Sequence, residues 1–554
     1  MSAVPVAVPP TWTTGSTEAI KTGTWRAALP RHIQAPSPCH TACPVNGDIA
    51  DWIGLARARD YRGAFDVLTR HNPFPAIAGR ICHHPCETAC NRAGFDEALS
   101  ICKLERFVGD TAIAAGWGFT PPAAERSGHV AVVGGGPAGL SAAFQLRRRG
   151  WRVTLYEARA ELGGLMRHGI PPYRLARDVL DAEIARIVAL GVAVRCNTPL
   201  ASAADFERLR AGHDAVFVAV GAGRVKRLPA LGDGLPGVMD GAAYLEACNA
   251  GRPPALGRHV VVIGGGSAAI DAARSARRAG HEVTILALES RPQMPAQTEE
   301  IDEALEEGIA LIDGAMLDAA AAGAPGLRLE CRRVRFEAGS AGRPFSAVPL
   351  AGSAFTFMAD AVLTSIGQDP DLGPFDGLAA RGTLLAADGR GATGSAGVWA
   401  GGDVASMARF VTQAVGMGKH AALDIHRRLH GGTAVDAAAD AGEAETVVPL
   451  AAIATWYHPK APRATSHVRL PSERHSAALE VQLGLDIEQA LAEADRCFSC
   501  GSCIQCDNCV VYCPDMAVRR VGDGYEVLTD YCKGCGLCVR ECPTGSMKMV
   551  EERR

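Results

Sequence analysis

The chain has 554 residues, with 56 Lys and Arg against 60 Asp and Glu, for a formal net charge of −4. That balance gives no electrostatic basis for binding nucleic acid or an anionic membrane surface. At 48% hydrophobic residues the composition is globular, the length suits several domains, and no apolar run is long enough for a membrane span.

The segment Met1–Ser16 lacks a basic stretch followed by an apolar one, so a disordered lead-in is expected rather than a signal peptide, and a cytoplasmic location with it. Of 19 cysteines, six lie between Cys39 and Cys102 and ten between Cys497 and Cys542; Cys196, Cys248 and Cys331 are scattered between. Clustering at two ends of a long chain points to metal clusters in a reducing compartment, not to a disulfide framework.

Residues 17–125 read as helical. Apolar residues recur at helical spacing from Ile49 to Leu55 and from Tyr61 to Leu68, and Pro121-Pro122 mark a boundary. Two similar strand–glycine loop–helix units follow. In the first, the strand His129–Val133 runs into Gly134-Gly135-Gly136-Pro137-Ala138-Gly139, a helix follows, and the next strand ends at Glu157. This is the arrangement of a dinucleotide site. Gly134 permits the tight turn, Gly136 lets N–H groups approach a pyrophosphate, Gly139 lets helix and strand pack, and Glu157 accepts from ribose hydroxyls. The helix start favours the phosphate charge. In the second unit, His259–Ile263 leads to Gly264-Gly265-Gly266-Ser267-Ala268-Ala269, and the second strand ends at Glu289. The competing reading of each is a Gly-rich turn without a ligand.

Residues 431–490 are Ala-rich, a linker or wrapping arm, with helical periodicity only from Leu483 to Ala494. The last segment, 491–554, holds Cys503-x2-Cys506-x2-Cys509-x3-Cys513-Pro514 and Cys532-x2-Cys535-x2-Cys538-x3-Cys542-Pro543. Three thiolates of each run reach one cubane and the distal one ligates the other cluster. Cys503, Cys506, Cys509 and Cys542 are thereby assigned to one [4Fe–4S] cluster, and Cys513, Cys532, Cys535 and Cys538 to a second. A zinc ribbon, with four ligands, does not account for the doubled run. Cys497 and Cys500 are surplus to both sets and read as structural or peripheral.

Gly397-Val398-Trp399-Ala400-Gly401-Gly402-Asp403, followed by a helix near Thr412, resembles the two-dinucleotide-domain flavoproteins, as do Phe217–Gly223 and Leu363–Gln368. The resemblance implies non-covalent FAD on the first loop, with Gly134, Gly136, Pro137, Ala138, Gly139, Glu157, Gly164, Gly221, Gly402, Asp403 and Thr412. It implies NAD(P)H on the second, with Gly264, Gly266, Ser267, Ala268, Glu289, Arg291 and Gly367. In NADPH-specific relatives a pair of arginines follows the second strand; here those positions are Leu288 and Glu289, so NADH is expected to be preferred to NADPH. No C-x2-C pair lies between 126 and 430, which argues against a thiol substrate, and no catalytic constellation stands out beyond the bound flavin.

Cys39-x3-Cys43-Pro44, Cys82-x3-Cys86-x3-Cys90 and Leu104-Glu105-Arg106-Phe107, with Gly163–Pro171 and Met294-Pro295, resemble the small subunit of glutamate synthase over residues 35–430. They also resemble the N-terminal half of dihydropyrimidine dehydrogenase and the NADH-dependent ferredoxin:NADP oxidoreductase subunit. The resemblance implies an N-terminal [4Fe–4S] cluster on Cys43, Cys82, Cys86 and Glu105. The first two cysteines of the family pattern fall on Arg31 and Gln34, so a second N-terminal cluster is expected to be lost, leaving Cys39 and Cys90 as orphans or as ligands of a rearranged site.

The expected fold is multidomain. It comprises a lead-in and helical N-terminal iron–sulfur domain (1–125) and two Rossmann-like α/β dinucleotide-binding domains, one inserted in the other. FAD would lie on 126–235 with 359–430, and NAD(P)H on 236–358. A linker (431–490) then carries a separable bacterial ferredoxin-like α+β module (491–554). The expected function is electron transfer between NAD(P)H and a protein redox partner, ferredoxin-type or a larger enzyme complex such as a 2-oxoacid:acceptor oxidoreductase. The alternatives are a glutamate synthase small subunit feeding an amidotransferase, and an iron–sulfur scaffold with both glycine loops empty.

Overall fold

A computed structural model describes residues 21–232, 234–323, 326–339, 345–430 and 447–552. The expected disordered lead-in and residues 431–446 of the expected linker lie outside the described residues.

The chain enters as a strand, β1 (Ala28–His32), and then forms the helices α1 (Pro38–Ala42), α2 (Ile49–Arg57), α3 (Tyr61–Leu68), α4 (Pro75–Ile81), α5 (Pro85–Thr88) and α6 (Ile101–Ala114). Proline opens or nearly opens α1, α4 and α5, where its missing N–H costs no hydrogen bond and its φ suits the first turn. Asp60 caps α3 by accepting from the Gly63 N–H (2.8 Å). Trp52, Ile53, Phe65, Leu104 and Val108 close the core between these helices.

The first α/β unit contains β2 (His129–Val133), α7 (Pro137–Arg148), β3 (Arg152–Tyr156), α8 (Leu165–His168), α9 (Arg177–Val188), β4 (Ala193–Arg195), α10 (Ala203–Ala211) and β5 (Ala215–Val218). The chain then passes through the short β6 (Arg224–Val225) into the second unit. This has β7 (Val238–Asp240), α11 (Gly241–Asn249), β8 (His259–Ile263), α12 (Ser267–Arg278), β9 (Glu282–Leu286), α13 (Thr298–Glu306) and β10 (Ala310–Ile312). An antiparallel sheet of β11 (Ala315–Ala322), β12 (Leu327–Glu337) and β13 (Ser346–Ala359) precedes β14 (Ala361–Thr364). β14 lies beyond the expected boundary at 358, yet it pairs with β8 and β7 and completes a five-stranded parallel sheet in the order β10-β9-β8-β14-β7.

The return crossing, β15 (Gln368–Asp369), pairs antiparallel with β6, so the two crossings between the units form one ribbon. After a small hairpin of β16 (Ala380–Arg381) and β17 (Leu384–Leu385), β18 (Val398–Ala400) closes the first sheet, in the order β18-β5-β2-β3-β4, and α14 (Val411–Leu429) follows. The central strands are unbroken apolar runs because helices or loops cover both faces of each sheet: Val130, Val132, Val260 and Val262 are all fully buried.

Over its described residues the expected linker is a packed arm, with the pair β19 (His467–Val468) and β20 (Gln482–Gly484) and then α15 (Ile487–Asp495). Glu480 receives hydrogen bonds from Arg80 (2.6 Å) and Arg106 (2.9 Å). The Arg92 guanidinium donates to the carbonyls of Pro459 and Arg496 (both 2.7 Å). The cysteine-rich segment has α16 (Asn508–Val511), the hairpin β21 (Val518–Val521) and β22 (Gly524–Val527), α17 (Leu537–Arg540) and β23 (Met547–Glu551). It is not a free appendage: β1 pairs antiparallel with β23, from Ala28 opposite Glu551 to His32 opposite Met547. No helix among the described residues is long and apolar enough to cross a membrane.

Candidate functional site

Both glycine loops sit at the carboxyl ends of central parallel strands, where open α/β sheets bind ligands. Gly134 has φ +107°, and a Cβ on Gly139 would collide with the Gly134 carbonyl oxygen, so only glycine lets α7 lie against the loop. Pro137 and Ala138 form the first turn of α7. Gly164 approaches Gly136 so closely that a Cβ on it would lie 2.8 Å from the Gly136 Cα. Glu157 is buried; its Oε2 accepts from the Gly135 N–H (2.7 Å) and its Oε1 from the Arg159 N–H (2.8 Å). The carboxylate is thereby fixed beside the loop, with lone pairs left for ribose hydroxyls. Gly221 and Gly402 follow β5 and β18, the neighbouring strands, at the same end of the sheet. Burial pushes the Asp403 carboxyl up, against the pull of Arg409.

The second loop repeats this construction. Gly264 has φ +140°, Gly266 precedes α12, and Ser267 and Ala268 open that helix. Glu289 Oε2 lies 2.6 Å from where a Cβ on Gly265 would stand, the place Glu157 takes on the first loop. Arg291 is turned to the surface and paired with Asp302 (2.6 Å). Gly367 leads into the crossing ribbon. Backbone N–H groups at helix starts, close glycine approaches and a fixed acid make each loop fit a dinucleotide.

Cys43 caps the end of α1, Cys82 the end of α4, Cys86 lies on α5 and Glu105 on α6. The fold brings these four side chains together in the interior, near enough to bear on one another's charge. Burial pushes Cys43 up to about 11, Cys82 to about 12 and Glu105 to about 8. Asn72 donates to Glu105 Oε1 (2.8 Å). Cys82 Sγ accepts from the His84 N–H (3.4 Å) and from the Thr412 hydroxyl (3.0 Å). The Thr412 side chain, expected among the FAD contacts, thus reaches a cysteine of the N-terminal set. α14 makes further ties: Gly416 packs on the Pro44 carbonyl and Gly418 on the Ala138 carbonyl, while the buried Lys419 donates to Val45 O (2.6 Å). One helix therefore touches both the first glycine loop's helix and the Cys43-Pro44 turn.

In the C-terminal segment, Cys503, Cys506, Cys509 and Cys542 form one group of mutually close thiols, and Cys513, Cys532, Cys535 and Cys538 another. The second group lines a single small cavity. Thiols gathered in this way, with the Ala517 N–H on Cys513 Sγ (3.2 Å), fit iron–sulfur clusters. Cys497 and Cys500 are not peripheral. They line, with Cys39 and Cys90, a single small cavity. The signal in the sequence was the unbroken C-x2-C register that begins at Cys497 and runs into Cys503.

Residues 128–418 match the model of the pyridine nucleotide-disulphide oxidoreductase family. Residues 30–117 match dihydropyrimidine dehydrogenase domain II, 4Fe-4S cluster, and residues 502–547 match a 4Fe-4S dicluster domain. The chain is 36% identical to the NADP(+)-dependent formate dehydrogenase subunit beta of Moorella thermoacetica, over 84% of this chain and 70% of that one. It is 34% identical to the NAD-dependent dihydropyrimidine dehydrogenase subunit PreT of Escherichia coli strain K12, over 71% and 92%. It is also 34% identical to the glutamate synthase [NADPH] small chain of Azospirillum brasilense, over 70% and 85%.

Proposed function

Since the chain belongs to the pyridine nucleotide-disulphide oxidoreductase family, we propose that it is the electron-transfer subunit of a larger assembly, exchanging electrons between NAD(P)H and a protein partner. That it is an NAD(P)H-dependent oxidoreductase with FAD and [4Fe–4S] domains at both ends is given by its family and domains. The partner proposed is ferredoxin-type, or an enzyme such as a 2-oxoacid:acceptor oxidoreductase. The observation that carries this reading is α14: its Gly418 lies on the first glycine loop's helix, and its Thr412 hydroxyl donates to Cys82.

Bound FAD supplies the exchange between a hydride, which carries two electrons, and the single electrons that a cluster accepts. The chain's residues do the positioning. The loop at Gly134–Gly139 and the start of α7 hold a pyrophosphate against N–H groups, and Glu157 orients a ribose. Gly264–Ala269 and Glu289 do the same for the nicotinamide nucleotide. Thr412 and His84 donate to Cys82, and such donors to sulfur tune a cluster's potential. Burial of Cys43, Cys82, Cys86 and Glu105 keeps water away from that set.

A second reading, a glutamate synthase small subunit feeding an amidotransferase, is favoured by the likeness to the A. brasilense chain. It gives no task to residues 502–547, which match a dicluster domain. The test is anaerobic rapid mixing of the reconstituted full chain with NADH or NADPH, with an added bacterial ferredoxin as acceptor. Flavin bleaching followed by ferredoxin reduction is expected. Failure of both nucleotides to bleach the flavin overturns the proposal; bleaching with no reduction of ferredoxin, and glutamate formation only with an added amidotransferase subunit, favours the second reading.

A further inference from the structure

We propose that Cys39, Cys90, Cys497 and Cys500 hold a fourth [4Fe–4S] cluster, assembled from the two ends of the chain. The inference rests on the reading of the chain as an iron–sulfur electron-transfer protein and adds a site to it.

The four thiols line one small cavity, as Cys513, Cys532, Cys535 and Cys538 line another. Cys39 lies near enough to Cys90, Cys497 and Cys500 to feel the charge of each. All four are free thiols. Among the described residues, no three His, Cys, Asp or Glu side chains converge as ligands of a single metal ion do; these four instead stand around a cage. The rest of the wall is mostly apolar, with Ile49, Ile53 and Phe498, and the polar side chains on it are Ser37, Asn91 and Arg92.

Three of the four sulfurs meet hydrogen-bond donors. The Ser499 N–H donates to Cys497 Sγ (3.4 Å) and Asn91 Nδ2 to Cys500 Sγ (3.4 Å), while the Ser37 hydroxyl lies 3.1 Å from Cys39 Sγ. Donors aimed at sulfur suit thiolates bound to iron, whose charge they offset, and are wasted on neutral thiols, which are weak acceptors.

The backbone is built to hold the two halves together. The Ala35 N–H donates to Gly501 O (3.3 Å), the Gly501 N–H to Thr544 O (2.7 Å), and Asn91 Nδ2 also to Val448 O (2.9 Å). The turn carrying Cys497 and Cys500 thus sits against residues 35–37, just before Cys39. Arg31 and Gln34 leave two family cysteine positions unfilled, and the C-terminal pair supplies two thiols at this place.

The location joins the other sites. Cys39 and Cys43 are about one helical turn apart on α1, roughly 6 Å along its axis. Cys500 and Cys503 are three residues apart, at most about 11 Å of extended chain. The proposed cluster is therefore close to both the set at Cys43 and the first C-terminal set.

The test is iron, acid-labile sulfide, zinc and flavin per chain in anaerobically reconstituted full-length protein, with Mössbauer spectra. About sixteen irons are expected, four for each cluster. The double variant Cys497→Ala/Cys500→Ala should fall to about twelve with flavin unchanged, and Cys39→Ser, from the opposite wall, should lose the same four. Because a variant can misfold, the wild type is also alkylated before and after iron chelation; protection of these four cysteines until chelation is expected. About twelve irons with full flavin, one zinc per chain, or a Cys497–Cys500 disulfide in the anaerobic protein would each overturn the fourth cluster while leaving the proposed function standing. Loss of NAD(P)H-dependent flavin reduction at sixteen irons would do the reverse.

Discussion

Glu289 stands beside the second glycine loop as Glu157 stands beside the first, and each can take ribose hydroxyls. A carboxylate there repels a 2′-phosphate, and the nearest cation along the chain, Arg291, is already paired with Asp302 at the surface. NADH is therefore expected to be the better substrate, by tenfold or more in kcat/KM, equivalent to about 1.4 kcal/mol of transition-state discrimination. Glu289→Arg should reverse the preference while leaving flavin content unchanged. Steady-state rates with both nucleotides decide it; a wild type that favours NADPH tenfold removes Glu289 as the selector. This acid was legible in the sequence because it ends a strand within one local unit. The Thr412 contact was not, because its partner Cys82 is 330 residues away and nothing near Thr412 signals it.

Among the elements, α15 braces the N-terminal helices α2 and α6. Its Glu493 is fully buried; the carboxylate accepts from the Ser100 N–H (2.7 Å) at the start of α6 and the Ala464 N–H (2.8 Å) in the arm, and pairs with Arg496 (2.8 Å). Arg496 in turn reaches Asp96 (3.2 Å), which Arg92 holds in a two-point pair (both 2.7 Å). Removing one member of such a buried network strands the others, at about 3–5 kcal/mol. Glu493→Ala is expected to loosen the arm without unfolding the two parallel sheets, so amide exchange at 99–101 and in α15 should accelerate by about a hundredfold or more. Unchanged exchange there would show that the arm is held by apolar packing alone. The helical period from Leu483 to Ala494 announced α15, but its buried face is set by α2 and α6, which no local pattern names.

At the scale of the whole molecule, the expected division into a core and a separable ferredoxin module gives way to a closed arrangement. Glycine loops and doubled C-x2-C runs are local, so the sequence displays them whole. The contact of Asn91 with Cys500 spans 409 residues. Arg31, which looked like an empty ligand position, is a strand residue opposite Lys548. Deleting residues 491–554 is accordingly expected to cost the helical domain its packing as well as the C-terminal thiols. The truncated chain should still bind FAD and be reduced by NAD(P)H, since both sheets lie outside the deletion, but should retain fewer than about four irons. Four or more stable irons in that chain would show that Cys43, Cys82, Cys86 and Glu105 hold together unaided.

The pairing of β1 with β23 has a consequence for biosynthesis. Residues 28–32 leave the ribosome well before residues 547–551, with which they pair, separated by on the order of half a minute or more at about 5–20 residues per second. Once residue 400 has emerged both nucleotide-binding sheets have all their strands, whereas β1 still has no partner and Cys39 and Cys90 face no opposite wall. Contacts of this sequence separation form late. Filling of the sites that these segments share would then wait for the synthesis of residues 497–551, and a chain terminated before them would present bare thiols and an open strand edge to the machinery that removes unfinished proteins.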